Sequence, residues 1–271
     1  FILVNDSVIM FRLLKEHLKY HVITNFPKSY PKYKKFLANV IFLTSKIIIH
    51  PRKNFLRNRD LIKARLILKK GDIILIGDLQ EASSILLKGG VTHVALHIGN
   101  KKFIHAVADG VTYSTLHHMF TKYDTIVILR LPKKTENKRK IIKNAIKFAE
   151  SQLGKPYDFD FSPGAKKFFC TELINSAYRH AGHKTKFSNF GKFRTFTEKI
   201  EKHIVTEPKA LTPEHFIKGN FKVVFLSHNL SIEKGNLKYI GEHPKTLRKK
   251  VIKRYNDKIK INCTKKKHNS N

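Results

Sequence analysis

Three side chains of this sequence, one thiol and two imidazoles, have the types and spacing that nucleophilic catalysis uses. Cys170 opens the stretch Cys-Thr-Glu-Leu-Ile-Asn-Ser-Ala-Tyr, whose apolar spacing predicts a helix that begins at the cysteine. His93 and His105 each lie in an apolar run typical of a strand. A thiol at a helix N-terminus lies near the positive end of the helix dipole, which favours the thiolate. The sequence therefore predicts a cysteine nucleophile beside an imidazole.

The two histidines have different predicted roles. His93 lies in Thr-His-Val-Ala-Leu-His-Ile-Gly and would project from a strand as the general base for Cys170. His105 lies on the next strand of a predicted hairpin, where cross-strand side chains meet, and would hold the other ring nitrogen of His93. The backbone N–H of Cys170 would then stabilise the oxyanion of an acyl-transfer reaction.

Structural roles are the alternative for each of these residues, because a cysteine before a helix is often a small core residue. A metal site made by His93, His105 and Cys170 is another alternative, but the sequence offers no evident fourth ligand. His97 cannot join His93 on one zinc ion, because four strand residues span roughly 13 Å and zinc bonds are about 2 Å long. We therefore expect no metal and no cofactor.

The apolar patterns around these residues predict an α+β domain in which an antiparallel sheet packs against helices. A block of strands precedes most of the helices, which argues against alternating strand–helix–strand units. Asn-Lys at residues 100–101 and Asp-Gly at 109–110 predict hairpin turns, whereas His117 and His118 fall in a predicted surface loop. Predicted strands cover residues 73–76, 92–98, 102–108, 111–113, 125–131 and 221–227, and predicted helices cover 11–26, 54–68, 138–153 and 170–181, with a short one from 212 onward.

The net charge of +34 is concentrated in the two ends of the chain. Residues 1–69 carry 15 lysines and arginines against 3 acidic residues, and residues 229–271 carry 13 against 3. Such a charge draws a protein to anionic surfaces, so we expect peripheral contact with an anionic membrane. A lysine-rich composition that only solvates the protein is the alternative. No basic stretch has the aromatic interleaving of a single-strand binding groove, so nucleic acid is not the expected substrate.

Cysteine content and hydropathy bear on location. Cys170 and Cys263 cannot form the disulfide framework of a small secreted domain, and Cys263, among polar residues near the end, is expected to be inert. No signal peptide is evident, and the apolar run at 36–49 is shorter than the ~20 residues of a spanning helix, so we expect a buried or surface-lying helix there. A cytoplasmic or peripheral membrane location is favoured.

The stretch from His93 to Val111 resembles the histidine-bearing hairpin of the NlpC-type papain-like cysteine hydrolases, with the same spacing between its two histidines. The only suitable cysteine follows this hairpin, which is similar to the circularly permuted YiiX/YebB-like branch. That branch also has counterparts of Gly71-Asp72, of Lys-Pro-Tyr-Asp at 155–158, of Phe-Cys-Thr-Glu-Leu at 169–173 and of Thr-Pro-Glu at 212–214. The resemblance covers about residues 69–228.

The resemblance implies a permuted papain-like fold and a Cys170, His93, His105 triad that forms a thioester. Many permuted members carry Glu at the position of His105, and an imidazole there stabilises the cation of His93 less than a carboxylate does. The implied substrates are amides or esters in peptides, cell-wall peptides or lipids, with hydrolysis and acyl transfer both open. The alternative is an inert papain-like protein that binds anionic lipid or nucleic acid.

The predicted organisation has three parts. Residues 69–228 form the hydrolase domain, residues 1–68 a basic, helix-rich extension, and residues 229–271 a basic tail that is unfolded or loosely docked. The sequence does not predict the oligomeric state.

Overall fold

The computed structural model describes residues 23–45, 55–79, 90–159, 166–185 and 211–241. Cys263 and most of the helix predicted over residues 11–26 lie outside these ranges, and residues 23–26 are not helical. The helices are α1 Lys32–Ser45, α2 Asn58–Ile67, α3 Leu116–Lys122, α4 Lys138–Glu150, α5 Cys170–His180 and α6 His215–Lys218. The strands are β1 Ile73–Gly77, β2 His93–Gly99, β3 Lys102–Val107, β4 Gly110–Thr115, β5 Thr125–Arg130, β6 Lys222–Leu226, β7 Leu230–Glu233 and β8 Asn236–Tyr239.

An antiparallel sheet with the strand order β4-β3-β2-β1-β5-β6 forms the centre of the fold. β1 and β5 are buried along nearly their whole length because helices cover both faces of the sheet. The runs Ile-Ile-Leu-Ile and Thr-Ile-Val-Ile-Leu fit this environment, since β-branched residues pack well on a pleated surface. The predicted α+β class and antiparallel sheet are confirmed.

Two apolar cores lie on opposite faces of this sheet. One core holds α4, α5 and alternate sheet residues such as Val94 and Leu96. The other holds Met119 and Phe120 of α3, Ala64 of α2 and the intervening sheet residues such as Ala95. This alternation follows from the period of two along a strand. It places α5, the helix that begins at Cys170, on one face and α3 on the other.

The two predicted hairpin turns are confirmed. Asn100 and Lys101 both have positive φ, 49° and 58°, as the tight turn between β2 and β3 requires. Gly110 has φ 108° after Asp109, and a Cβ there would clash with the carbonyl oxygen of Lys155. Only glycine meets both demands at that position.

Two local predictions were wrong. His117 and His118, expected in a loop, lie in α3, because the hydroxyl of Thr115 accepts the His118 N–H at 3.2 Å and caps the helix. The residues just after His228, expected as a loose tail, form the hairpin β7–β8, whose Leu230 and Leu237 are buried in the α5 core. Apolar residues alternate along both strands of this short hairpin, at Leu230 and Ile232 and at Leu237 and Tyr239.

The segment before β1 is joined to the sheet domain by buried polar contacts. Asp60 of α2 accepts the His228 backbone N–H at 3.1 Å and also pairs with its ring. Arg130 of β5 binds the buried Asp72 through two hydrogen bonds of 2.7 Å each and also reaches the carbonyl oxygen of Ile67 at 2.6 Å. The basic segment predicted as an extension thus contributes α2 to the packed fold.

Candidate active site

Cys170 is the first residue of α5, as the sequence predicts. Phe169 before it has extended backbone, φ −94° and ψ 167°, and its carbonyl accepts the first helical hydrogen bond from Leu173 at 3.1 Å. The N–H groups of the first turn therefore have no carbonyl partner within the helix. Apolar residues of α5, among them Leu173 and Ala177, pack it against β2 and β3.

The thiol of Cys170 is buried and faces three backbone N–H donors. The side chain is 8% exposed, and the N–H groups of Val94, Cys170 and Thr171 face the sulfur and act to lower its pKa. Burial outweighs these donors and raises the pKa of Cys170 to about 11. The donors at the helix start thus act in the direction that the sequence predicts, but burial has the larger effect. The apolar surroundings, which the sequence did not reveal, keep the thiol neutral.

The two predicted histidines meet directly. His93 Nε2 and His105 Nδ1 lie 3.0 Å apart in a hydrogen bond, and the rings are edge to face with centroids 5.1 Å apart. The ring of Tyr123 is stacked parallel to the ring of His93, and the two ring centroids lie 6.3 Å apart. The hydrogen bond and the stacked ring together restrict how the imidazole of His93 can turn.

His105 is buried behind His93 and stays neutral. Burial lowers the pKa of His105 to about 3, and the nearby positive charges of His118 and Lys122 on α3 lower it further. A neutral imidazole has one N–H and one lone pair, so His105 can accept a hydrogen bond from His93 while its own proton lies on the opposite nitrogen.

Strand β2 links the histidine pair to Cys170. β2 pairs with β3 from Leu96 opposite Ile104 to Gly99 opposite Lys102. Two residues before the first of these pairs, Val94 turns its N–H toward the Cys170 sulfur. The residue next to His93 thus contacts the thiol, which brings the start of α5 to the end of β2 that carries His93.

Tyr157 is a residue near Cys170 to which the sequence assigned no role. Burial raises the pKa of its hydroxyl well above the ordinary value, and the negative charges that Cys170, Asp158 and Glu172 carry when ionised raise it further. Two backbone hydrogen bonds join this segment to Phe168, two residues before Cys170. The Asp158 N–H donates to the Phe168 carbonyl at 3.1 Å, and the Phe168 N–H donates to the Pro156 carbonyl at 3.2 Å. The Lys-Pro-Tyr-Asp stretch was the only signal for it.

The segment around Thr-Pro-Glu at 212–214 contacts the start of α5. The hydroxyl of Thr171 donates to the carbonyl of Leu211 at 2.6 Å. Thr212 N–H in turn donates to His215 Nδ1 at 2.9 Å, which fixes the entry into α6. These contacts hold Thr171, whose N–H faces the Cys170 sulfur.

Aromatic residues from the N-terminal segment also reach the loop that carries Tyr157. The ring of Phe159 lies 4.9 Å from that of Tyr157 and 5.9 Å from that of Phe26. Phe26 stacks on Tyr30 at 5.7 Å, and Lys167, paired with the buried Asp158 at 2.9 Å, lies over the Tyr30 ring. The chain before α1 therefore packs against the loop that carries Tyr157.

Within the described ranges, no group of three or more His, Cys, Asp or Glu side chains is placed to hold a metal ion. His97, which shares the β2 face of His93, packs instead against Phe103 with ring centroids 5.0 Å apart. Burial lowers the pKa of His97.

The sequence model of the permuted papain-like amidase enzymes, the YaeF/YiiX or C92 family, matches residues 67–224. The crystal structure of metalloprotein yiiX from Escherichia coli O157:H7 is a structural neighbour, with a TM-score of 0.45 and 20% identity over 59% of this chain and 97% of that chain. Among curated proteins, none matches this chain.

Proposed function

The chain belongs to the permuted papain-like amidase family, and we propose that it cleaves amide bonds through Cys170, with His93 as general base and His105 as the residue that orients it. The observation that carries this proposal is the hydrogen bond of 3.0 Å between the two imidazoles, on a strand whose next residue, Val94, directs its N–H to the Cys170 sulfur. The family model supports the reaction class; the roles of the three residues are the proposal.

The protonation state of the histidine pair supports this division of roles. With a pKa of about 3, His105 does not take up a proton near neutral pH, so it serves as acceptor through Nδ1. His93 then donates from Nε2, and its Nδ1 carries the lone pair that a general base needs. When His93 is protonated, the same hydrogen bond is kept, because Nε2 retains its hydrogen.

The reaction begins from a neutral thiol. His93 Nδ1 removes the thiol proton as the Cys170 sulfur attacks the carbonyl carbon, and the carbonyl electron pair moves onto oxygen. Collapse of this oxyanion breaks the C–N bond, the amine leaves with the proton from His93, and a thioester on Cys170 remains. A water molecule, deprotonated by His93, then attacks the thioester and releases the carboxylic acid and the thiol.

Two sets of groups stabilise the negative charge that develops. The N–H groups of Cys170 and Thr171 lie at the start of α5 and already face the sulfur, so a carbonyl oxygen held there gains donors that need no rearrangement. The hydroxyl of Tyr157 is electrostatically coupled to the thiol and stays protonated, so it is a third donor near the same charge. The protein thereby compensates for an orienting residue that is neutral.

The family description supports an amide substrate of the peptide type. We extend this proposal to cell-wall peptides and amide-linked lipids. In acyl transfer, another nucleophile would replace water and accept the acyl group from the thioester. The net charge of +34 favours an anionic substrate or an anionic surface that carries it.

A panel of peptide amides with a fluorescent amine leaving group tests the proposal. Wild type should release the amine, Cys170→Ala should release none above background, and His93→Gln should be slower by about 100-fold or more. His117→Gln is the matched control, because this exposed imidazole on α3 lies outside the site. Full activity of Cys170→Ala would end the proposal.

A further inference from the structure

Helix α1 displays large apolar side chains to solvent. Tyr33 is 67% exposed and Phe36 is 72% exposed, and Val40 continues the same helix face at 37% exposure. Residues spaced three and four apart share one face of a helix. Ala38 on the opposite face is buried, so the exposure belongs to one side of a docked helix.

The stretch of sequence that contains this face carries only positive charge. From residue 17 to residue 59 the sequence has 10 lysines and arginines and no Asp or Glu. Lys28 and Lys32 are both exposed beside the start of α1. Exposed aromatic residues flanked by lysines are the composition of helices that lie in the interface of an anionic membrane.

Helix α2 repeats the pattern. Ile62 is 60% exposed and Leu66 is 79% exposed, four residues apart on one face, and Arg59 and Lys63 are exposed next to them. The described residues contain exposed large apolar side chains elsewhere, such as Ile240, but both helices of the basic segment carry at least two of them.

The α1 face is fixed to the catalytic domain. The Asn39 side chain accepts the Ile23 N–H at 2.7 Å and donates to the Ile23 carbonyl, which holds the chain before α1 against the helix. The side chain of Asn25 donates to the carbonyls of Asp109 at 2.9 Å and Gly154 at 3.1 Å. A surface bound through α1 would therefore hold the domain that contains Cys170.

We infer that the α1 face made by Tyr33, Phe36 and Val40, with its flanking lysines, is a docking surface for an anionic lipid membrane. The apolar side chains enter the interface while Lys28 and Lys32 contact acidic headgroups. Charge selects this occupant over an apolar protein groove, because a segment with ten cations and no acid needs a partner of opposite charge. The inference does not depend on catalysis by Cys170.

The test is co-sedimentation of the full chain with phosphatidylcholine vesicles, with and without phosphatidylserine. We expect binding that requires phosphatidylserine and weakens with salt. Phe36→Ser should lower the partition coefficient between vesicles and buffer about tenfold, because the protein then loses an aromatic side chain that enters the membrane interface on binding. Lys28→Gln and Lys32→Gln should each lower it roughly fivefold.

Ile240→Ser is the matched control, because it removes an apolar side chain that is 54% exposed outside the basic segment; its binding should equal that of wild type. Tyr33→Ser is a second variant of the face, and an unchanged melting temperature shows that each variant is folded. The inference is overturned if wild type stays in the supernatant or if Phe36→Ser and Tyr33→Ser bind like wild type. A wild-type dimer in gel filtration that Phe36→Ser dissociates would also overturn it, because a second copy would then cover the face.

Discussion

The alkylation rate of Cys170 should rise steeply with pH, because the resting site holds a neutral thiol. Iodoacetamide reacts with the thiolate, so its rate follows the thiolate fraction. Burial raises the pKa of Cys170 to about 11 despite three backbone donors that act in the opposite direction. A preformed thiolate–imidazolium pair would give the reverse, a thiolate already present below neutral pH.

The magnitude follows from the shift in pKa. An ordinary cysteine has a pKa of about 8.5, so the thiolate fraction of Cys170 near neutral pH should be lower by roughly two to three orders of magnitude. The logarithm of the rate should increase by about one for each pH unit and should still be rising at about pH 9.

The assay uses a Cys263→Ser variant, so that Cys170 is the only thiol, and follows the alkylated protein by mass spectrometry. The same protein in guanidinium chloride is the control, because the unfolded thiol should titrate near its ordinary value. The shape of the pH curve separates the pKa from simple shielding, which lowers the rate equally at every pH. A plateau that begins below pH 7 in the folded protein would refute the reasoning.

Three further predictions concern stability and are measured by chemical denaturation. Folding lowers the pKa of His105 from 6.5 to about 3, so the unfolded state binds a proton first as pH falls. The resulting contribution to the free energy of unfolding is present above about pH 6.5 and should decrease by about 1.4 kcal/mol per pH unit toward pH 3. In His105→Gln the pH dependence of the free energy of unfolding should be weaker by one proton. Arg130→Met should lower the free energy of unfolding by about 3 kcal/mol, because it leaves the buried carboxylate of Asp72 without the guanidinium that pairs with it. A decrease below about 1 kcal/mol would show that Asp72 does not need this partner. Gly110→Ala should lower the free energy of unfolding by more than about 1 kcal/mol and by more than Gly154→Ala does. Both glycines have positive φ, but only at Gly110 would a Cβ clash with backbone atoms, so equal decreases would contradict the clash.

Local patterns predicted the elements that carry the site. The continuous apolar runs at β1 and β5 indicated buried strands, and the Asn-Lys and Asp-Gly pairs located the turns on either side of β3, which aligned His93 with His105. The spacing of apolar residues after Cys170 predicted α5 with its first residue. These features depend on residues close together in the chain, so the sequence contains enough information to find them.

Features that depend on distant residues were missed. The thiol is neutral because elements from several parts of the chain exclude water from Cys170, and helix position alone suggested the opposite. Tyr157 is brought near Cys170 by the pairing of residues 156–158 with Phe168. The docking of Asp60 against His228 spans most of the chain, so no local pattern could place α2 in the fold.

The central claim is that the thiol of Cys170 forms an acyl-enzyme with the help of His93. Reaction of the Cys263→Ser variant with p-nitrophenyl acetate should release p-nitrophenol in a burst, and peptide mapping should locate the acetyl group on Cys170. The burst should be absent in Cys170→Ala and slower by about 100-fold in His93→Gln. A burst of the same size and rate in both variants, or an acetyl group on another residue, would contradict the account.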